Sequence, residues 1–91
     1  MNTKAAAKRG AKWLDAFRKG WHTCIDLATL DMSEDCGCIF GQLEGSYYDY
    51  KEHLGTNDDA LESLGFYSSK SAAYDNLTAA WKAEIRQRRA K

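Results

Sequence analysis

The side chains best suited to chemistry are four soft ligands, His22, Cys24, Cys36 and Cys38. They read His-x-Cys, eleven residues, Cys-x-Cys. Four nitrogen and sulfur donors are what a tetrahedral structural zinc requires, and metal affinity becomes folding energy in a small domain. Structural sites more often use Cys pairs two to four residues apart, because that spacing lets both sulfurs turn toward one ion. Cys-x-Cys is tighter, and Gly37 would have to supply the bend. The competing reading is that Cys24 packs in the core, Cys36 and Cys38 flank a helix start, and His22 is exposed. Zinc on these four residues is the one cofactor the spacing suggests.

A cysteine nucleophile is the second option. Cys36 or Cys38 at a helix start would have its thiolate favoured by the helix dipole, with His22 or His53 as base. Glu34 and Asp35 immediately before them oppose a thiolate, and nothing local brings either histidine near. A structural thiol is the simpler account. No Gly-rich phosphate loop, Ser/His/Asp pattern or supported carboxylate pair is present, so the expectation is a protein that is not an enzyme.

Two further groups suit binding rather than catalysis. Tyr47, Tyr48 and Tyr50 cluster, and Tyr48 lies about 100° round a helix from Tyr47, so it is expected to face outward as an interface anchor. Lys82, Arg86 and Arg89 mark the wet face of the last helix. Residues 57–89 also have the bare outline of a helix-turn-helix. Its second helix, however, opens Ser-Lys-Ala-Tyr-Asp and keeps its basic residues at the far end, whereas base reading normally uses the N-terminal part.

The formal charge is zero but segregated. Residues 1–19 carry six basic side chains against Asp15, residues 79–91 carry five against Glu84, and residues 20–78 hold eleven acids against Lys51 and Lys70. Basic ends could bind nucleic acid; equally, they are solvated helix faces offset by the acidic middle.

These groups must be positioned by helices. The chain has 13 Ala, no Pro and no Val among its 91 residues, which favours helix over sheet. The length suits one domain. A first helix is predicted over about residues 3–19, with Ala6, Gly10, Trp13, Leu14 and Phe17 as its apolar stripe and Gly20 as its stop. A second long helix is predicted over 37–54 on Ile39, Leu43, Tyr47, Tyr50 and Leu54. Gly41 and Gly45 share one of its faces, where another backbone could approach closely. Asn57 should cap a short helix over 57–64, and a last long helix should span 71–88 on Tyr74, Leu77, Trp81 and Ile85. The segment between the first two long helices is irregular, with Ile25, Leu27, Leu30 and Met32 turned inward. The fold class is therefore all-α, a compact bundle of three to four helices over residues 1–91.

Several stretches together, "IDLATLDMS", "CGCIFGQLEGSYYDY", "LGF" and "LTAAWKAEI", resemble a family of small uncharacterised proteins of actinobacteria and their bacteriophages. Cys38, Gly41, Gln42 and Gly45 match the distinctive block; the pairing of His22 with Cys24 is not part of it. The resemblance covers about residues 13–86 and implies a phage or actinobacterial origin, with no activity or ligand attached. No apolar run approaches the ~20 residues a membrane span needs, and the charged start lacks a signal peptide's apolar stretch. The expected setting is a host cytoplasm, without membrane association. The expected role is a non-enzymatic accessory protein that binds a host or phage protein through Tyr48, Lys82, Arg86 and Arg89. The alternatives are a nucleic-acid-binding module on the basic ends and a small zinc-stabilised domain.

Overall fold

Capping side chains and glycine stops decide where the helices lie. The computed structural model describes residues 2–90. Among them are five α-helices and no strand: α1 (Thr3–Phe17), α2 (Ile39–Glu44), α3 (Tyr47–Leu54), α4 (Asp58–Ser63) and α5 (Tyr74–Arg89). Short 3-10 turns occupy Trp21–Cys24 and Ser71–Ala73. Asn2 opens α1 by accepting the Ala5 N–H at 3.1 Å, and Asn57 opens α4 by accepting that of Ala60 at 2.9 Å. Each satisfies one of the N–H groups that the first turn leaves unpaired. The chain is all-α, as its composition indicates. Its radius of gyration of 11.7 Å matches the roughly 12 Å expected of a packed chain of this length.

The long second helix predicted over 37–54 is two helices. Gly45 adopts a left-handed conformation with φ 91° and donates its N–H to the Gly41 carbonyl at 2.7 Å, which ends α2. Ser46 is extended and caps α3, and the Asp35 carboxylate accepts the Tyr47 N–H at 2.9 Å. The side chains of Ser46 and Asp35 thus take N–H groups that an unbroken helix would have paired internally. α1 also stops short of residue 19. Gly20, with φ 79°, turns the chain so that Trp21 folds back beneath α1 and donates its indole N–H to Asp15 at 2.9 Å. With the second helix split, the count is five rather than three to four.

α1 and α5 lie side by side and run in the same direction: Thr3 and Lys4 lie near Asn76 and Ala79, and Asp15 meets Arg88. Trp81 of α5 is fully buried at the centre. Its ring meets Trp21 edge-on at 5.7 Å and stacks on Phe66 at 5.1 Å, and Phe66 in turn stacks on Phe40 at 4.2 Å. Ile25, Leu30 and Met32 of the irregular segment are buried as expected, and Leu27 packs against the core. Phe17 departs from expectation. It is 72% exposed rather than part of the buried stripe, because α1 ends at this residue and the core lies under Leu14.

Close backbone approaches explain two glycines. A methyl group at Gly10 would run into the Leu64 carbonyl oxygen and stand 2.8 Å from the Trp81 ring. At Gly41 it would overlap the Asp35 carbonyl and the Cys36 backbone, so the close approach is that of the turn just before α2 and not of another helix. Gly45 faces open space, so its role is the turn and not a crossing.

Gly10 therefore sets two effects against each other. Alanine would favour the helix by about 1 kcal/mol, but overpacking against a fixed carbonyl costs about 1–3 kcal/mol. The clash should win. Gly10→Ala is expected to lower the melting temperature by several degrees, read by circular dichroism; a rise would show that α1 and the Leu64 turn separate freely.

Candidate functional site

The sulfur and imidazole groups are the first place to look for chemistry, and the fold distributes them. Cys38 is buried, and its sulfur accepts the Gly41 N–H at 3.3 Å, so it acts as the cap of α2. Burial pushes its thiol above the ordinary cysteine range, and the nearby Asp35 charge adds to this. Cys36 is exposed on the turn before α2. Cys24 is exposed on the 3-10 turn, its sulfur 4.0 Å from the Gly20 carbonyl oxygen. His22 is half-buried on the same turn, and its Nδ1 is buried without a hydrogen-bond partner among the described residues. Among the described residues, no group of three or more His, Cys, Asp or Glu side chains is placed to share a metal ion. His22, Cys24, Cys36 and Cys38 are therefore not brought together as one tetrahedral set.

The basic residues singled out on α5 have unequal surroundings. Arg89 donates to the backbone carbonyl of His22 at 2.6 Å and also to that of Ile25. It thus ties the end of α5 to the irregular segment, a structural task that sequence alone did not indicate. Lys82 is half-buried, and its charge helps Ser33 hold the Asp31 carboxyl below its usual range. Arg86 is exposed. Arg88, not singled out from the sequence, is the most heavily engaged. It pairs with Asp15 at 2.8 Å and Glu84 at 2.9 Å and lies over the Trp21 ring at 5.7 Å. The Arg88 guanidinium holds the Asp15 carboxyl below the usual carboxylate range.

Tyr48 leads to a tyrosine-lined concavity. It is 65% exposed at the mouth of a pocket of about 120 Å³. The buried Met32, Cys38 and Phe66 form its floor; Tyr47, Tyr48, Tyr67 and Tyr74 form its walls; Ser33, Glu34 and Asp35 form its exposed lip. Three separate elements supply the phenol rings. The start of α3 contributes Tyr47 and Tyr48, packed edge-to-face at 5.4 Å. The turn after α4 contributes Tyr67, whose ring stacks on that of Tyr47 at 6.3 Å. The first residue of α5 contributes Tyr74. Sequence reading found the first pair but not Tyr67 and Tyr74, which no local pattern links to it.

Two of these hydroxyls are already engaged. Tyr47 donates to Asp58 at 3.1 Å, and Asp58 is in turn paired with Lys51 at 2.8 Å. Tyr74 donates to the Ser68 carbonyl at 3.0 Å and accepts the Ser68 N–H at 3.1 Å. Burial raises the Tyr47 pKa well above the tyrosine range, and the hydrogen bond to Asp58 reinforces it; burial likewise raises that of Tyr74. At the lip, Asp35 is held by the Tyr47 N–H and the Ser46 hydroxyl, while the Glu34 carboxylate has no partner among the described residues.

A second concavity, of about 420 Å³, lies beside Phe17 and Trp13, whose rings are 4.9 Å apart. Tyr50, His53 and Leu54 of α3 close its other side. It is wide and open, and its acids Glu44 and Asp49 stand at the edge; Glu44 is already paired with Arg18.

No family model, curated protein or solved structure matches this chain. The reading of the site therefore rests on its geometry.

Two outcomes follow for the titratable groups. In the reduced, folded protein a chromogenic disulfide reagent should label Cys24 and Cys36 rapidly and Cys38 only on unfolding; rapid labelling of all three would contradict the buried cap. Tyr47 and Tyr74 have folded pKa values raised above the unfolded one. The stability they contribute is complete below about pH 10 and is lost as pH rises above it. Urea midpoints should fall above about pH 10, and Tyr47→Phe should make that fall shallower; an unchanged slope would show that the Tyr47 phenol is not protected.

Proposed function

We propose that the protein is a non-enzymatic interaction module that binds a partner protein through the face centred on Tyr48. The observation that carries this reading is the exposed Tyr48 ring standing over a concave, tyrosine-walled pocket. A large aromatic side chain left in water beside a pocket is the usual form of an interface anchor, since docking buries its area at little cost in conformational entropy. The Phe17 side chain, also exposed beside an apolar hollow, supplies a second anchor of the same kind. The sequence resemblance to small actinobacterial and phage proteins supports a host or phage protein as the proposed partner and the host cytoplasm as the proposed setting. Among the described residues, no helix is long and apolar enough to cross a membrane.

Lys82 and Arg86 lie two and three turns along α5 from the pocket wall at Tyr74, about 12 and 18 Å away along the axis. A partner of ordinary footprint, near 800 Å² per side or about 16 Å in radius, reaches Lys82, and reaches Arg86 when it extends along α5. They belong to the rim of the proposed interface, where charge governs the rate of encounter more than affinity. Arg89, bound to backbone carbonyls, is a weaker candidate than sequence indicated.

One observation favours a second reading. The parallel packing of α1 and α5 sets the two basic ends side by side, with Lys8 and Lys12 next to Gln87 and Arg88. Such a surface suits nucleic acid. Arg88, however, is already neutralised by Asp15 and Glu84, which weakens that reading.

A tagged-protein pull-down from an actinobacterial host lysate, split into nuclease-treated and untreated halves, separates the two. The expected result is one host protein retained in both halves by the parent and reduced at least ten-fold by Tyr48→Ala. Retention that is lost with nuclease and indifferent to Tyr48 would replace this reading with the basic-surface one.

A further inference from the structure

We infer that the tyrosine pocket receives a cationic side chain, arginine or lysine, projecting from the partner protein; the inference rests on the interaction reading above. The first argument is charge. The pocket is lined by Glu34 and Asp35 and by no basic side chain. Lys51 stands near Tyr48 and Tyr67, but its charge is matched by Asp58 at 2.8 Å. The uncompensated charge at the lip is therefore that of the two carboxylates. An anion would be repelled, and an apolar group would cover the carboxylates without compensating them.

The second argument is hydrogen-bonding capacity. Tyr47 and Tyr74 donate inward, to Asp58 and to the Ser68 carbonyl, so neither offers its proton to a ligand. What the pocket presents is carboxylate oxygens, ring faces and the hydroxyls of Tyr48 and Tyr67, which accept as well as donate. These groups accept, and their complement is a group rich in N–H donors and positive charge. Four phenol rings from three elements line the pocket, and the negative face of an aromatic ring attracts a cation. The third argument is size. A hollow of about 120 Å³, open to solvent on one side, has room for a guanidinium or ammonium head. Asp35, fixed by Ser46 and the Tyr47 N–H, gives a stationary countercharge, while Glu34 is free to close over the incoming group.

The test uses three probes at constant ionic strength: Nα-acetyl-arginine methylamide, Nα-acetyl-lysine methylamide and the neutral norleucine counterpart. Each is titrated into the full chain and followed by nuclear magnetic resonance. The two cationic probes are expected to give saturable shifts at the rings of Tyr48, Tyr67 and Tyr74 and at the amides of Glu34 and Asp35. Norleucine should give none. Glu34→Gln and Tyr48→Ala should each weaken binding about three-fold or more. Both residues are exposed, and unchanged urea midpoints would confirm that the variants fold. Equal binding of norleucine, shifts that spread without saturating, or indifference to both substitutions overturns the inference.

The interaction reading fails separately. A partner captured through Tyr48, whose binding survives replacement of all basic side chains in its contact region, overturns the cationic occupant alone. Saturable cation binding, with partner capture unaffected by Tyr48→Ala, supports the pocket and overturns the interaction face.

Discussion

The Trp81 indole donates to the Gly65 carbonyl at 2.7 Å, and much of the structure depends on that bond and its surroundings. A buried indole N–H left unpaired would cost about 1–3 kcal/mol, so the ring can sit at the centre only if a backbone carbonyl comes to meet it. Gly65 can present that carbonyl because its φ of 78° turns the chain sharply after α4. The turn reaches α1 because Gly10 has no side chain there. Gly65 itself lies so close to the backbone of Ala6 and Ala7 that an added methyl would stand 2.8 Å from the Ala7 nitrogen. Two glycines and two alanines thus clear the space into which one tryptophan is locked. Phe66, the next residue, is then placed to stack on both Trp81 and Phe40, and it forms the floor of the tyrosine pocket.

Four of the five arginines, all in the basic ends, tie one part of the molecule to another. Arg88 joins the C-terminal basic end to Asp15 of α1, and Arg89 joins it to the carbonyls of the irregular segment. Arg18 joins α1 to Glu44 and to the Leu43 carbonyl, and Arg9 joins it to the Ser63 carbonyl at 2.9 Å. Each of these four reaches from one end of the chain to another element. This suits the planar, multiply donating guanidinium, which can bind two acceptors at once where an ammonium offers a point charge. Exposed ion pairs of this sort contribute about 0–1 kcal/mol each. Their effect lies more in fixing which segment meets which than in raw stability. The lysines of α1 take no part in these ties, and the acids at the pocket lip, Glu34 and Asp35, meet no arginine.

The sequence made the helical class, the cap at Asn57 and most of the core legible, because each is a local pattern. The buried Leu77, Trp81 and Ile85 recur at helical spacing, and that period survives folding. The break at Gly45 was not legible in the same way. Its decisive partner is Asp35, ten residues earlier, and the apolar spacing across 39–54 continues as if nothing intervened. Gly10 read as one member of a helix's apolar stripe; only the position of Leu64, far along the chain, shows it to be a clearance. The site divides similarly. Tyr47 and Tyr48 are adjacent and stood out, whereas Tyr67 and Tyr74 join them only through the turn that Gly65 makes.

The helix break and the pocket have a common cause. Had residues 39–54 formed one helix, the Tyr47 N–H would have been paired with the carbonyl four residues back, leaving Asp35 without that bond. Instead, Gly45 releases the chain, Ser46 caps the new helix, and Asp35 takes the Tyr47 N–H. That bond draws the loop carrying Glu34 and Asp35 against the start of α3, where Tyr48 points outward. One carboxylate therefore performs two tasks, starting a helix and placing a negative charge at the mouth of an aromatic pocket. Replacing it by an apolar residue would disturb both, while Glu34, which holds nothing in place, can change without disturbing the fold. The difference between these neighbours separates structure from binding on this face: Asp35 builds the lip, and Glu34 is left for the ligand.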